Sequence, residues 1–271
     1  MAMKNKDSYC IFCGGTGMSK QHVWPDWMKT VIPRENKQEH YQNMIKLQFD
    51  DSKYASITPE ILKKRGHVAT RKIRNVCKKC NGGWMSRLET SVKPKMTDMM
   101  LNKQTILTNS EMLSISAWAV MISIMAEFTD IPTKSIPDQD LTHLMRNQCP
   151  PSNWTVWIGK YKGQEWNYRY RHHGIGCMPL QLARIMKPFT HCNTQSSTFV
   201  VGSFLIHTTS STLSGINPIF DKEHAEKLIQ IWPLPLTVDC VNWSLLKEIN
   251  DNEVILISDQ LFKQFQPYPH S

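Results

Sequence analysis

The chain has 271 residues, 41% of them hydrophobic and 20% charged, with a formal net charge of +9. These values suit a folded chain with one or two cores and exclude low-complexity, collagen-like and disordered polymers. Eight cysteines over this length are too sparse for a disulfide scaffold, and no apolar secretory run follows the first six residues, so the expectation is a cytoplasmic, reduced protein.

The first segment carries two close cysteine pairs, Cys10-Ile-Phe-Cys13 and Cys77-Lys-Lys-Cys80. Each Cys-x-x-Cys turn presents two sulfurs to one metal, so the four thiolates together predict one tetrahedral zinc site. A set of four thiolates leaves no open position, and this metal is expected to organise the fold and not to hydrolyse anything. The 63 residues between Cys13 and Cys77 are no obstacle, because closure entropy grows only with the logarithm of loop length. Gly14-Gly-Thr-Gly17 follows a cysteine and not a βα turn, so it reads as a turn and not as a nucleotide loop.

Between the pairs lie Ser19-Lys-Gln-His22-Val-Trp-Pro25, a candidate strand over His40–Phe49 and a second over Thr70–Val76 that delivers Cys77. Residues 1–100 hold 19 basic and 9 acidic side chains, against 13 and 14 in the remainder, so the whole positive excess sits beside the cysteines. Its densest part is Lys63, Lys64, Arg65, Arg71, Lys72, Arg74, Lys78 and Lys79, with no acid from Lys63 to Lys79. Such a block suits a polyanion such as DNA or RNA; a solvated surface run is the plain alternative. After Asn81, the spacing of Trp84, Leu88 and Val92 predicts a helix that Pro94 would end.

A boundary is expected near residue 100, dividing the chain into 1–100 and 101–271. Met112 to Ala126 is the most apolar stretch. It is bracketed by Glu111 and Glu127 and interrupted by serines, so it reads as a buried helix and not a bilayer span. Ser110 would cap that helix, which would run to about Phe128 with a stripe of Leu113, Ala117, Val120 and Ile124. Strands are expected at Trp154–Gly159, Glu165–His173 and Thr198–His207. Asp221 would cap a helix carrying Ala225, Leu228, Ile229 and Trp232 up to Pro233. The mixture predicts an α+β fold class. Alternation from Trp166 to His173 would separate an aromatic face from a basic one, as in an ordinary half-buried strand or a nucleic-acid surface. His172, His173, Cys177, His191 and Cys192 match no familiar zinc spacing.

Taken together, the first cysteine pair, the Ser-Lys-x-His-Val-x-Pro-x-Trp segment and Cys77-x-x-Cys-Asn-x-Gly-Trp-Met-Ser-x-Leu-Glu89 resemble the HNH endonucleases. The likeness is to their zinc-knuckle branch, found among phage and bacterial proteins, and covers about residues 10–95. It implies an N-terminal zinc-stabilised ββα-metal, treble-clef-like unit with a C-terminal α+β accessory part, and hydrolysis of DNA with Mg²⁺ or Mn²⁺ as second cofactor. By the same likeness His22 is the general base, Asn81 a helix-side ligand of the catalytic cation, and Asn75 a candidate for the middle Asn. The likeness also suggests phage-defence biology, in which a homo-oligomer or a defence-system partner is compatible with the sequence.

One departure stands out. The residue before the base His is normally Asp or Glu, and here it is Gln21, which keeps an oxygen but not the charge that a hard dication prefers. Three explanations stay open: Glu89 or Asp26 supplies the charge, the unit binds nucleic acid without cutting, or a Glu was exchanged for its near-isostere to silence the protein for study. Glu89 itself has a plainer reading as the acid of a surface salt bridge. A third class, an interaction protein whose zinc is purely architectural, also fits the residues.

Overall fold

A computed structural model describes residues 9–33, 40–49, 55–64, 71–129, 134–177, 192–234 and 239–264. Arg65 and His191 lie outside the described residues. The fold is mixed α+β, as the sequence implied.

Strand β1 (Met18–His22) pairs antiparallel with β4 (Lys72–Cys77), with Met18 opposite Cys77 and His22 opposite Lys72. The short helix α1 (Met28–Val31) follows β1, and an antiparallel hairpin of β2 (His40–Phe49) and β3 (Ala55–Lys64) is inserted before β4. The expected strand at 40–49 is therefore present, and the one expected over 70–76 runs from Lys72 to Cys77, with Thr70 outside the described residues. From Lys78 the backbone is helical, passes through a wide π turn over Asn81–Met85 and continues as α2 (Ser86–Met100).

Pro94 does not end this helix; it lies inside it. Leu88, Val92, Met96, Met99 and Met100 are buried along one face. Burying each such side chain is worth about 1.5–3 kcal/mol, and together they outweigh the proline penalty of about 3 kcal/mol.

Helix α3 (Asn109–Glu127) starts at Thr108 and not at Ser110. Thr108 accepts from the Glu111 amide, and the Glu111 carboxylate accepts from the Thr108 amide at 2.8 Å, a reciprocal capping box. The expected apolar stripe is also too narrow a description, because every residue from Ile115 to Glu127 is buried. The helix lies between α2 and a six-stranded sheet, which explains burial on all sides. Among the described residues no helix is long and apolar enough to cross a membrane.

The sheet contains β6 (Trp154–Tyr161), β7 (Arg169–Ile175), β8 (Thr194–Val201), β9 (Phe204–Ser211), β10 (Leu228–Trp232) and β12 (Glu248–Ile249), in the order β10-β6-β9-β8-β7, with β12 parallel to the far end of β6. A separate pair joins β5 (Ile106–Thr108) to β11 (Cys240–Asn242). Alternation decides the two faces. Val156, Ile158, Phe199 and Ile206 join the core with α3, while Trp157, Val200 and Leu205 pack with Val254 and Ile257 of a C-terminal helix, Asp251–Gln264. The helix Asp138–Asn147 also packs against α3.

Three expected elements change. The strand expected over 198–207 is the hairpin β8–β9, turned at Gly202, whose φ of +55° and 2.4 Å Cβ approach to the Met100 carbonyl require glycine. The helix expected through Trp232 stops at Ala225. Asp221 caps it as anticipated, but Leu228–Trp232 is strand β10, paired with β6. The strand expected from Glu165 begins at Arg169, and Trp166 and Tyr168 are buried before it. The Ser203 amide donates to the Met100 carbonyl at 2.9 Å, and one buried cluster runs from Cys10 through α2 and α3 to the sheet, across the boundary expected near residue 100.

Candidate metal centre

The sulfurs of Cys10, Cys13, Cys77 and Cys80 all lie within 4.8 Å of one another, and those of Cys13 and Cys77 are 3.6 Å apart. A tetrahedral zinc with Zn–S near 2.3 Å sets its sulfurs about 3.8 Å apart, so these residues fit one ion such as zinc. The first knuckle is a tight turn in which the Gly14 amide donates to the Cys10 carbonyl and the Cys10 amide to the Gly15 carbonyl. Gly14 and Gly17, at φ of +68° and +79°, turn the chain back to β1. The Gly15 amide points at Cys13 Sγ and the Cys80 amide at Cys77 Sγ, each at 3.4 Å. Two further bonds dock the knuckles together: Ile11 N–H to the Asn75 carbonyl at 3.0 Å and Lys78 N–H to the Gly17 carbonyl at 2.9 Å. Phe12 and Trp84 meet edge to face beneath them.

Electrostatics supports a cation here. Burial pushes the Cys10 thiol up, but hydrogen bonds from the Cys77, Cys13 and Phe12 backbone outweigh it and bring it down to about 7. Burial and the neighbouring sulfurs push Cys13 and Cys80 the other way. One thiolate forms readily, and the next are opposed by it unless a dication neutralises the set.

Beside this centre, β1 meets the start of the long helix. Ser19 Oγ donates to the Val76 carbonyl and accepts from Asn81 Nδ2, both at 3.0 Å. Two residues on, Gln21 is buried. Burial pushes the Glu89 carboxyl up to about 7, against the smaller opposing pull of the Gln21 side chain. The expected salt bridge of Glu89 is not found: among the described residues no Lys or Arg pairs with it. His22, at the strand end, is partly exposed, with Nε2 3.9 Å from the Asp26 carboxylate, which Lys29 also contacts at 2.5 Å.

The candidate residues thus fall into two groups. Asn81 sits with Ser19 at the thiolate end. Glu89, eight residues and about 12 Å further along an ideal helix, faces Gln21 at the His22 end. Asn75 lies in a β-bulge, where it and Arg74 together oppose Lys20, and its carbonyl is taken by Ile11. Bulges re-aim side chains and are common near sites.

Of the basic run, Lys72, Arg74, Lys78 and Lys79 are exposed, whereas Arg71 is half-buried and donates to the Thr129 carbonyl at 2.9 Å. Lys63 and Lys64 end the inserted hairpin. Trp24 packs edge-on to Tyr168 and Phe199, so it is core and not a stacking platform. Comparison with known protein families, curated proteins and solved structures gives no match.

Among the described residues the four cysteines are the only cluster of three or more His, Cys, Asp or Glu side chains close enough to hold one metal. His172 instead donates to or accepts from Ser197 at 2.7 Å and lies 3.7 Å from buried Glu127, while His173 contacts Asp259 at 3.3 Å. Sequence reasoning did not single out the Glu127–His172–Ser197 cluster, whose members are distant in the chain and carry no motif. It also passed over Cys149, whose Sγ lies 3.6 Å from His143 Nε2 beside a cavity of about 590 Å³.

Proposed function

We propose that the chain is a metal-dependent DNA endonuclease whose cysteine centre holds structural zinc. The observation that carries this reading is the stapling of β1 to β4 and to the following helix by one four-sulfur site, with His22 left partly exposed at the strand end. Exposed Lys72, Arg74, Lys78 and Lys79 on the same segment suit a phosphate backbone. The His22 imidazole, partly exposed at the strand end, accepts a proton from the attacking water. Attack at phosphorus then breaks the P–O3′ bond, and the leaving oxygen takes a proton from solvent water. Mg²⁺ or Mn²⁺, when bound, supplies positive charge to the phosphate in the transition state. Gln21 and Glu89 would be the oxygen donors at the His22 end, while Asn81 sits with Ser19 at the thiolate end.

Incubating the purified protein with supercoiled plasmid and either cation tests the reading. His22→Ala should reduce cleavage by about 10²–10⁴-fold, and cleavage unchanged by it would reject the assigned base. A second reading, a zinc-held nucleic-acid binder, is favoured by the neutral Gln21. It would show salt-sensitive binding, weakened by Lys72→Glu and Arg74→Glu, without cleavage.

A further inference from the structure

Far from the metal centre in the chain, one thiol faces an imidazole beside a cavity. The helix Asp138–Asn147 ends at Gln148, whose left-handed backbone, at φ of +51°, turns the chain and delivers Cys149 next to the helix it has just left. Cys149 Sγ lies 3.6 Å from His143 Nε2, within hydrogen-bonding reach for sulfur, and both residues are partly exposed. Both line a cavity of about 590 Å³, together with Gln139, Asn153, Thr212 and Trp232. We propose that Cys149 is a redox-modification site: a nucleophilic thiol, with His143 as its proton acceptor, that a hydroperoxide oxidises to the sulfenic acid. The proposal stands apart from the nuclease reading and uses none of its residues.

As the sulfur attacks one peroxide oxygen, an S–O bond forms, the O–O bond breaks and the thiol proton passes to His143 Nε2. That proton goes on to the departing oxygen, so the thiol and ROOH become the sulfenic acid and ROH. Sulfur loses two electrons and the peroxide gains them. The surroundings favour the imidazolium formed in between. The carbonyl end of the helix lies just beyond His143, and Asp140, one turn back on the same helix, is buried and accepts from Trp154 Nε1 at 2.8 Å and Asn153 Nδ2 at 3.0 Å. Acyl transfer fits the site less well. It would need donors aimed at an oxyanion, and Asn153 Nδ2 in the cavity wall is already taken by Asp140 and the Ser211 carbonyl. A peroxide needs only a proton for its leaving oxygen, which His143 carries.

Exposure alone points to a different cysteine, and that contrast supplies the test. Cys240 is exposed, whereas Cys149 is half-buried and Cys177 is buried. The zinc-loaded full chain is treated with hydrogen peroxide, sulfenic acid is trapped with dimedone, and peptide mass spectrometry reads the rate at each cysteine. Cys149 should be trapped at least about tenfold faster than Cys240. His143→Ala should bring it down to the Cys240 rate, and added imidazole should restore it while leaving Cys240 unchanged, which a purely structural role of His143 would not do. Equal rates at Cys149 and Cys240 in the wild type, a Cys149 rate indifferent to His143→Ala, or no rescue by imidazole in a variant that keeps Cys177 protected would each overturn the proposal. Should Cys177 become reactive in the variant, the chain has opened, and the wild-type ratio decides.

Discussion

Around β1, β4 and the two knuckles, four clustered sulfurs join the edge of a core to which Phe12, Trp24, Val76 and Trp84 contribute, whereas the six-stranded sheet beyond residue 150 is covered on both faces by helices. In the first region His22 is partly exposed. The second buries His207 completely. The contrast also separates what should happen when each region is disturbed.

The largest expected effect is on the metal side. Zinc removal by a chelator, or Cys80→Ser, should forfeit much of a binding free energy that reaches about 10–16 kcal/mol in small zinc domains. Amide exchange should then lose protection over Met18–His22 and Lys72–Cys80, while β6, β8 and β9 stay protected. Loss of protection throughout the sheet would show that the two regions are not separable.

Acid and base should act on them with opposite signs. Burial, aided by His173, holds His207 down at about 3, so the folded sheet binds fewer protons than the unfolded chain between pH 6.5 and 3. Stability should fall as pH drops through that window, by roughly 4–5 kcal/mol if His207 acted alone, and His207→Gln should flatten the slope. Glu89 is raised from 4.5 to about 7, so the folded chain there binds more protons than the unfolded one. In buffer free of Mg²⁺ and Mn²⁺, its contribution should be lost as pH rises from 4.5 to 7, by about 3 kcal/mol, and Glu89→Gln should remove that loss. Denaturant titrations across pH read both slopes. A smaller effect belongs to Thr108→Ala, which removes the cap of α3 and should cost about 1 kcal/mol with zinc content unchanged.

The sequence disclosed most where the chemistry is local. Two Cys-x-x-Cys pairs announce their geometry within four residues each, and the strand His40–Phe49 is long enough to show itself. Where tertiary packing decides, the signal failed. Leu228, Ile229 and Trp232 fit helical spacing as well as strand alternation, and the open edge of β6 resolves it. The apolar run through Val200, Val201, Phe204 and Leu205 masks a turn that only Gly202 marks. Pro94 is overruled by the methionine face behind it, and the Thr108–Glu111 box was hidden by Ser110, an equally good cap. Glu89 is legible in the sequence as an acid that could supply the charge missing at Gln21, although the two lie far apart in the chain.

The most direct measurement is zinc K-edge X-ray absorption on the purified full chain, with metal content determined on the same sample. One zinc per chain in a shell of four sulfurs at about 2.3 Å is the expected result. A chain without zinc, or a shell in which nitrogen or oxygen replaces sulfur, would contradict the account of how β1 is held against the helix.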